Sequence, residues 1–296
     1  MTTRSRTLAP SHLLLALAVV AIWGTNFVVI GIGLRDFPPF LFACLRFLFS
    51  AIPLLFFVHR PPVAWRALVL FGLFLGVGQF GLLFYAMRSD ITPGLASLVI
   101  QAQVFLTIGL SMWIFGEHVK RATLAGMALA AAGIALIAAN LDATATPVGM
   151  ICVLGAGLSW ACANIVVKQA AHGKRPDMLA FVVWASLFAA PPLGLISVGF
   201  EGVDAIGHSL RHARWDAWAS AAWQVIGNTL FAFAAWGWLL SRYDAAVVAP
   251  YALLVPVFGI ASSALLLGEA LPAWKLAAAG LVIAGIALAS LSGRMR

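Results

Sequence analysis

Charge is what this chain has least of. Of its 296 residues only 9% are Asp, Glu, Lys or Arg, ten acids against 18 bases. That is too little to cover the surface of a soluble protein of this size, so soluble enzymes are excluded. The net charge of +8 does not mark a nucleic-acid binder either, because basic residues collect in the cytoplasmic loops of membrane proteins. Cysteine is scarce as well. Cys44, Cys152 and Cys162 lie unclustered inside apolar segments, which excludes a disulfide framework and a zinc site. No Walker A sequence, no H-E-x-x-H and no nucleophile elbow occurs, so the chain is not expected to be an enzyme or to hold a cofactor or metal. ATP-driven pumping would need another subunit.

A further absence concerns where the acids are. Asp36, Asp90, Glu117, Asp142, Asp177, Glu201, Asp204, Asp216, Asp244 and Glu269 all fall in loops or at segment ends, and so do the six histidines. Proton-driven transporters commonly carry such a group deep in the bundle. Proton coupling would therefore run through Glu117, Glu269 or the substrate itself, and exchange or facilitated export stays open.

What is present is apolar sequence. Hydrophobic residues make up 63% of the chain and the mean hydropathy is +1.01. The apolar runs cover 12–34, 38–58, 66–87, 92–115, 121–139, 148–168, 178–199, 217–240, 245–267 and 273–292. Each is too long for a strand, and lipid requires every backbone polar group to be satisfied internally, so the expectation is an all-α membrane protein of ten transmembrane helices. The first run follows Arg4 and Arg6 but is too long for the apolar region of a signal peptide, and it reads as the first helix. Counting Lys and Arg with the N-terminus inside places eleven on the inner side (Arg4, Arg6, Arg60, Arg66, Lys120, Arg121, Lys174, Arg175, Arg242, Arg294, Arg296). Five fall on the outer side (Arg35, Arg88, Arg211, Arg214, Lys275), with Arg46 and Lys168 inside helices. Both termini are expected in the cytoplasm. The long loop 200–216, with Ile206, Leu210 and Trp215, is suited to lie partly on the membrane surface.

The chain also repeats itself. Residues 115–136 align without a gap on 267–288, pairing Gly116 with Gly268, Glu117 with Glu269 and Ala132–Leu136 with Ala284–Leu288. Trp23 and Asn26 in the first run match Trp160 and Asn164 in the sixth. The repeat units are 12–139 and 148–292. Five spans each is an odd number, so the second unit enters the membrane inverted, the arrangement of secondary transporters with a substrate path between the halves.

Several motifs have a structural reading beside the functional one. Gly76-Val77-Gly78-Gln79-Phe80-Gly81 is formally G-x-G-x-x-G, but no strand precedes it, and with Gly72 it reads as a close helix-packing face. Pro191-Pro192, Pro250 and Pro256 are expected to kink their helices. The mid-run amides Asn26, Gln79, Gln101, Gln103, Asn164, Gln224 and Asn228 individually read as interhelical glue. Gln101 and Gln103 point to different faces, so one of them is expected on the path. Arg46 stands a third of the way into its run, where an exposed cation costs roughly 2.5–3.5 kcal/mol. It either snorkels or holds a substrate carboxylate. Glu117 and Glu269 have a capping or pairing duty as their simpler reading. The site expected from these signals is Asn26, Arg46, Gln103, Trp160 and Asn164. The amides would bond the substrate, Arg46 would pair with a carboxylate and Trp160 would form an apolar wall.

Trp23-Gly24-x-Asn26-Phe27, Leu45-Arg46-Phe47 and the two Gly-Glu ends resemble the EamA-type domains of the drug/metabolite transporter superfamily, over essentially the whole chain. The stretches Gly94–Ile108, Ser159–Lys168, Arg242–Gly259 and Leu265–Glu269 resemble the amino-acid metabolite exporters of that family. The resemblance implies an inner-membrane, multi-pass exporter of O-acetylserine and cysteine, a broad drug/metabolite efflux protein being the alternative. It implies a small zwitterionic metabolite and the lipid bilayer as partners, no nucleic acid, and a homodimer as an open possibility. One departure is Ile30: such proteins often carry Lys four residues after the first-helix Asn, as Lys168 follows Asn164.

Overall fold

The computed structural model describes residues 8–116, 118, 120–140, 144–170, 177–243 and 245–292. Among these the chain is helical, and its one strand-like contact is an isolated bridge between Ile91 and Ala145. Seven helices are long and apolar enough to cross a membrane. They are α1 (Pro10–Gly33), α2 (Pro39–Phe56), α3 (Trp65–Ser89), α4 (Pro93–Phe115), α5 (Arg121–Ala138), α6 (Pro147–Ala170) and α7 (Met178–Phe200). A short helix α8 (Val203–His212) follows inside the 200–216 loop, with Ile206 packed against the core and Val203 and Leu210 exposed. The remaining apolar runs are helical in pieces. α9 joins Trp215–Trp223, a π-helical turn Gln224–Phe231 and Ala232–Arg242. α10 joins Ala245–Val248, a 3₁₀ stretch Ala249–Leu254 and Val255–Leu267, and α11 is Ala273–Ser292.

Local sequence sets the ends. Proline opens α1, α2, α4 and α6 (Pro10, Pro39, Pro93, Pro147), where its missing N–H has no partner to lose and its fixed φ is already helical. Asp177 caps α7 by accepting from the Leu179 and Ala180 amides. Gly116 ends α4 and Gly268 ends α10, both in the left-handed region at φ 64° and 67°, a conformation glycine reaches without a Cβ penalty. The prolines behave less uniformly than their sequence suggests. Pro191 and Pro192 lie inside an unbroken α7, whereas Pro256 sits in the first turn of the last piece of α10, next to the 3₁₀ stretch.

α2 packs on α7, α5 on α11, α1 on α9 and α10, and α3 on α6 and α7. The first piece of α4 (Pro93–Val99) packs on α1 and α10, while its second piece (Ala102–Phe115) packs on α6. Small residues make the close crossings. A Cβ on Gly72 would meet the Ala185 carbonyl, one on Gly76 the Ala189 side chain, and one on Gly78 that of Ser159. The glycine motif is therefore a packing face against α6 and α7, as its sequence context requires. Gly126 and Gly285 meet backbone to backbone where α5 crosses α11. A ladder of rings, Phe37, Phe42, Phe84, Phe80 and Phe47, with centroids 5.1–5.8 Å apart, fills the space beside α2 and α3. Phe56, Trp113 and Leu265 stand more than four-fifths exposed on the outside, where a bilayer would cover them. The three cysteines are free thiols.

Candidate functional site

Arg46 is 1% exposed and points into the bundle rather than snorkelling. Its Nη1 donates to Gln224 Oε1 at 2.6 Å and its Nη2 to Thr229 Oγ1 at 3.4 Å. The Asn228 amide oxygen, turned toward the guanidinium, accepts from Nη2 at 2.9 Å and Nη1 at 3.0 Å. Gln224 Nε2 in turn donates to Asn26 Oδ1 at 2.7 Å. The guanidinium lies 3.8 Å from the Phe80 ring centre, a contact that stabilises a desolvated cation. No carboxylate forms an ion pair with Arg46 among the described residues. α9 thus supplies the neutral oxygens around one cation of α2, α3 supplies its aromatic face, and α1 anchors Gln224.

The π turn of α9 explains how three of its residues reach the same guanidinium. In an α-helix residue i+5 points about 140° away from residue i. The wider π turn, with i→i+5 bonding, brings it back over residue i. Thr229 Oγ1 donates to the Gln224 carbonyl, five residues earlier, at 2.8 Å, and Gln224, Asn228 and Thr229 all face Arg46. α3 carries a matching π stretch, Leu73–Gly81, which includes Gln79 and Phe80.

A second polar cluster lies between α4 and α6. Asn164 Nδ2 donates to Gln103 Oε1 and Thr107 Oγ1, both at 3.1 Å, and Lys168 Nζ donates to Ser111 Oγ one turn further on. Gln103, Thr107 and Asn164 are half-buried, unlike the sealed Arg46 cluster. α4 breaks just before this point, and there Gln101 is buried while Gln103 is not, so the two glutamines do part to different faces. Trp160 is half-buried against the main core. Of the five residues singled out from sequence, Asn26 and Arg46 therefore meet through Gln224, Gln103 and Asn164 meet directly, and Trp160 lies one turn before Asn164 on α6.

A third cluster was visible in sequence only as a recurring Gly-Glu. Glu269 follows the left-handed Gly268 and accepts from Thr92 Oγ1 at 2.5 Å, from the Gly94 amide at 3.0 Å and from Ser263 Oγ. Lys275 Nζ lies 2.9 Å away, and the two side chains are 6% and 2% exposed. Lys275 is thus a buried partner in the first turn of α11, not a free loop charge. Burial pushes the Glu269 carboxyl up, but the hydrogen bonds from Ser263, Thr92 and Lys275 and the Lys275 charge outweigh it and hold the group below the usual carboxylate range. The same end of the bundle is tied by Glu201, which accepts from the Phe40 and Leu41 amides, and by Arg88, which donates to the Leu34 and Phe37 carbonyls. Glu117 lies outside the described residues.

Among the described residues a cleft of 220 Å³ opens beside Phe40, Tyr85, Arg88 and Glu201, and an apolar one of 400 Å³ beside Phe105, Met127, Ile134 and Leu158. Neither contains any of the five residues. Gln224, Asn228, Thr229 and Phe80 are the contacts of Arg46 that sequence did not select. Gln224 and Asn228 were visible as mid-helix amides, but nothing in the chain order says that they meet Arg46.

The profile of the EamA-like transporter family matches residues 10–139 and 147–291. A Salmonella typhimurium protein named "Probable amino-acid metabolite efflux pump" is 44% identical over 285 residues, 95% of each chain. The protein of the same name in Escherichia coli K12 is 41% identical over 92% of each chain. An uncharacterized transporter of Bacillus subtilis, YoaV, is 28% identical over 82% of this chain and 84% of its own. One solved crystal structure superposes with a TM-score of 0.62 at 20% identity, over 97% of this chain and 99% of that one, a likeness of fold.

Proposed function

The chain belongs to the EamA-like transporter family, and on that premise we propose that it exports small amino-acid metabolites such as O-acetylserine and cysteine by alternating access. The names of the relatives at 41% and 44% identity support a metabolite exporter. The observation that carries the substrate class is Arg46. A fully buried guanidinium surrounded only by neutral oxygens holds an unneutralised charge in the bundle, and the ligand chemistry that answers it is a carboxylate. Asn26 is tied to that group through Gln224. Gln103 and Asn164 offer amide donors and acceptors to the polar remainder of a zwitterion, and Trp160 an apolar wall.

In this reading ten spans form two inverted units, 12–139 and 148–292. The packing supports it. Exchanging the first, second, third, fourth and fifth helices of one unit for those of the other turns the α1–α10 contact into α6–α4 and the α1–α9 contact into α6–α3. It leaves α2–α7 and α5–α11 in place. The repeat pairs Gly126 with Ala278 and Gly133 with Gly285, and the crossing contacts are Gly126 with Gly285 and Gly133 with Ala278. π turns fall in the third helix of each unit. The first piece of α4 closes on α1 and α10 at the end that carries Glu269, while its second piece stays with α6. With both termini cytoplasmic, as the Lys/Arg count favours, the sealed end is the outer one.

The test is export from cells that overproduce the protein, measuring thiol and O-acetylserine in the medium beside an Arg46→Ala variant present at equal level. Raised export that the variant loses supports the assignment. A flat medium with wild-type protein in the membrane overturns it, and hydrophobic-cation resistance in the same cells would favour the broad efflux reading.

A further inference from the structure

Three buried side-chain polar atoms lack any hydrogen-bond partner among the described residues: Arg46 Nε, Ser50 Oγ and Gln79 Oε1. All three stand on α2 or α3, Ser50 one turn beyond Arg46 on the same helix face and Gln79 next to the Phe80 ring. The orphan on Arg46 has a definite place in the guanidinium. Its Nη hydrogens are directed to Gln224, Asn228 and Thr229, the last at 3.4 Å. The edge formed by Nε and Nη2 therefore carries one unpaired donor and one held by the longest contact of the set. Two parallel N–H groups on one edge match the two oxygens of a carboxylate. A carboxamide presents one oxygen and one NH₂, and its NH₂ meets a donor.

What keeps that edge chargeable is Gln224. It is wholly buried, anchored through Nε2 on Asn26 and aimed through Oε1 at Nη1. A neutral amide here orients the guanidinium without neutralising it. A carboxylate in the same place would make an internal ion pair and leave a ligand nothing to add. We infer that Gln224 is a specificity-determining positioning residue, which fixes Arg46 so that its Nε/Nη2 edge selects a substrate carboxylate over the amide or ester of the same compound. This rests on the exporter reading for the identity of the substrate, but not for the carboxylate itself.

The experiment uses the purified full chain in detergent and reads thermal stabilisation by L-cysteine, O-acetyl-L-serine, glycine and acetate, each beside its carboxamide or methyl ester. Three proteins are compared: wild type, Gln224→Glu and Arg46→Gln. Wild type is expected to respond to acids and not to their neutral derivatives. Gln224→Glu should melt higher without ligand and bind carboxylates at least roughly tenfold more weakly, and Arg46→Gln should lose the response. An internal pair explains a higher melting point together with lost binding, which simple damage to the fold does not. Equal responses to acid and carboxamide, no wild-type response to any acid, or an unchanged response in a folded Gln224→Glu would each overturn the inference. If Gln224→Glu fails to fold, Gln224→Ala takes its place, and an acid-against-amide preference equal to that of wild type would overturn the inference. A wild-type response to acetate but not to O-acetylserine or cysteine leaves this inference standing and removes the proposed substrates.

Discussion

Among the described residues two cations are buried, Lys275 at 2% exposure and Arg46 at 1%, and they are held in opposite ways. Lys275 faces Glu269, whose remaining lone pairs are taken by Thr92, Ser263 and the Gly94 amide. Arg46 faces Gln224, Asn228 and Thr229, and one of its donors has no partner. In the first the charge is matched and the carboxylate's acceptor sites are filled inside the protein, tying α4 to α10 and α11. The second is complete in shape but not in charge. A buried ion pair with its hydrogen bonds made is a fastening, whereas a buried cation among amides keeps a charge that nothing around it matches.

The largest effect should come from breaking the fastening on one side. Glu269→Ala leaves Lys275 buried without a counter-charge and is expected to destabilise the fold by about 3–5 kcal/mol, read as a loss of melting temperature in detergent. Acid should reach the same group. A carboxyl whose folded pKa lies below its unfolded value contributes stability above the unfolded value and loses it as pH falls through the folded one. Glu269 is depressed in this sense, so wild type should hold its melting point at neutral pH and lose stability as the pH falls through and below the ordinary carboxylate range. Glu269→Gln should flatten that step, and an equal step in the variant would refute the assignment.

Removing both partners sharpens the contrast. Glu269→Gln with Lys275→Met is expected within about 1 kcal/mol of wild type, because no charge is left stranded. A loss as large as that of Glu269→Ala would mean the pair itself carries the stability. The smallest effect belongs to the half-buried amides. Asn164→Ala should cost on the order of 0.6 kcal/mol while lowering export more than stability. Equal export at equal expression would remove Asn164 and its partner Gln103 from the path.

Much of the fold is written along the chain. Runs of apolar residues, prolines at helix starts and the two Gly-Glu ends are local features, and they locate the helices to within a few residues. Arg46 and Asn26 stand out for the same reason, as polar groups inside apolar sequence. The π turns are not legible in the chain, since no residue in Gln224–Phe231 distinguishes a wide turn from an ordinary one. Gln224 and Asn228 were two amides among seven. Lys275 counts with the outer loops by its place near a helix start, and only the fold shows it buried against Glu269, six positions back.

The division has a physical cause. In lipid each helix must satisfy its own backbone, so membrane character, helix positions and the internal repeat follow from the order of residues alone. Partnership among buried side chains obeys no such local rule. Gln224 lies 178 positions from Arg46 and 198 from Asn26, and only the packing of α9 against α1 and α2 brings the three together. Sequence determined that a cation would stand within α2, either snorkelling or turned inward. The tertiary structure decided that it would be met by amides rather than by an acid.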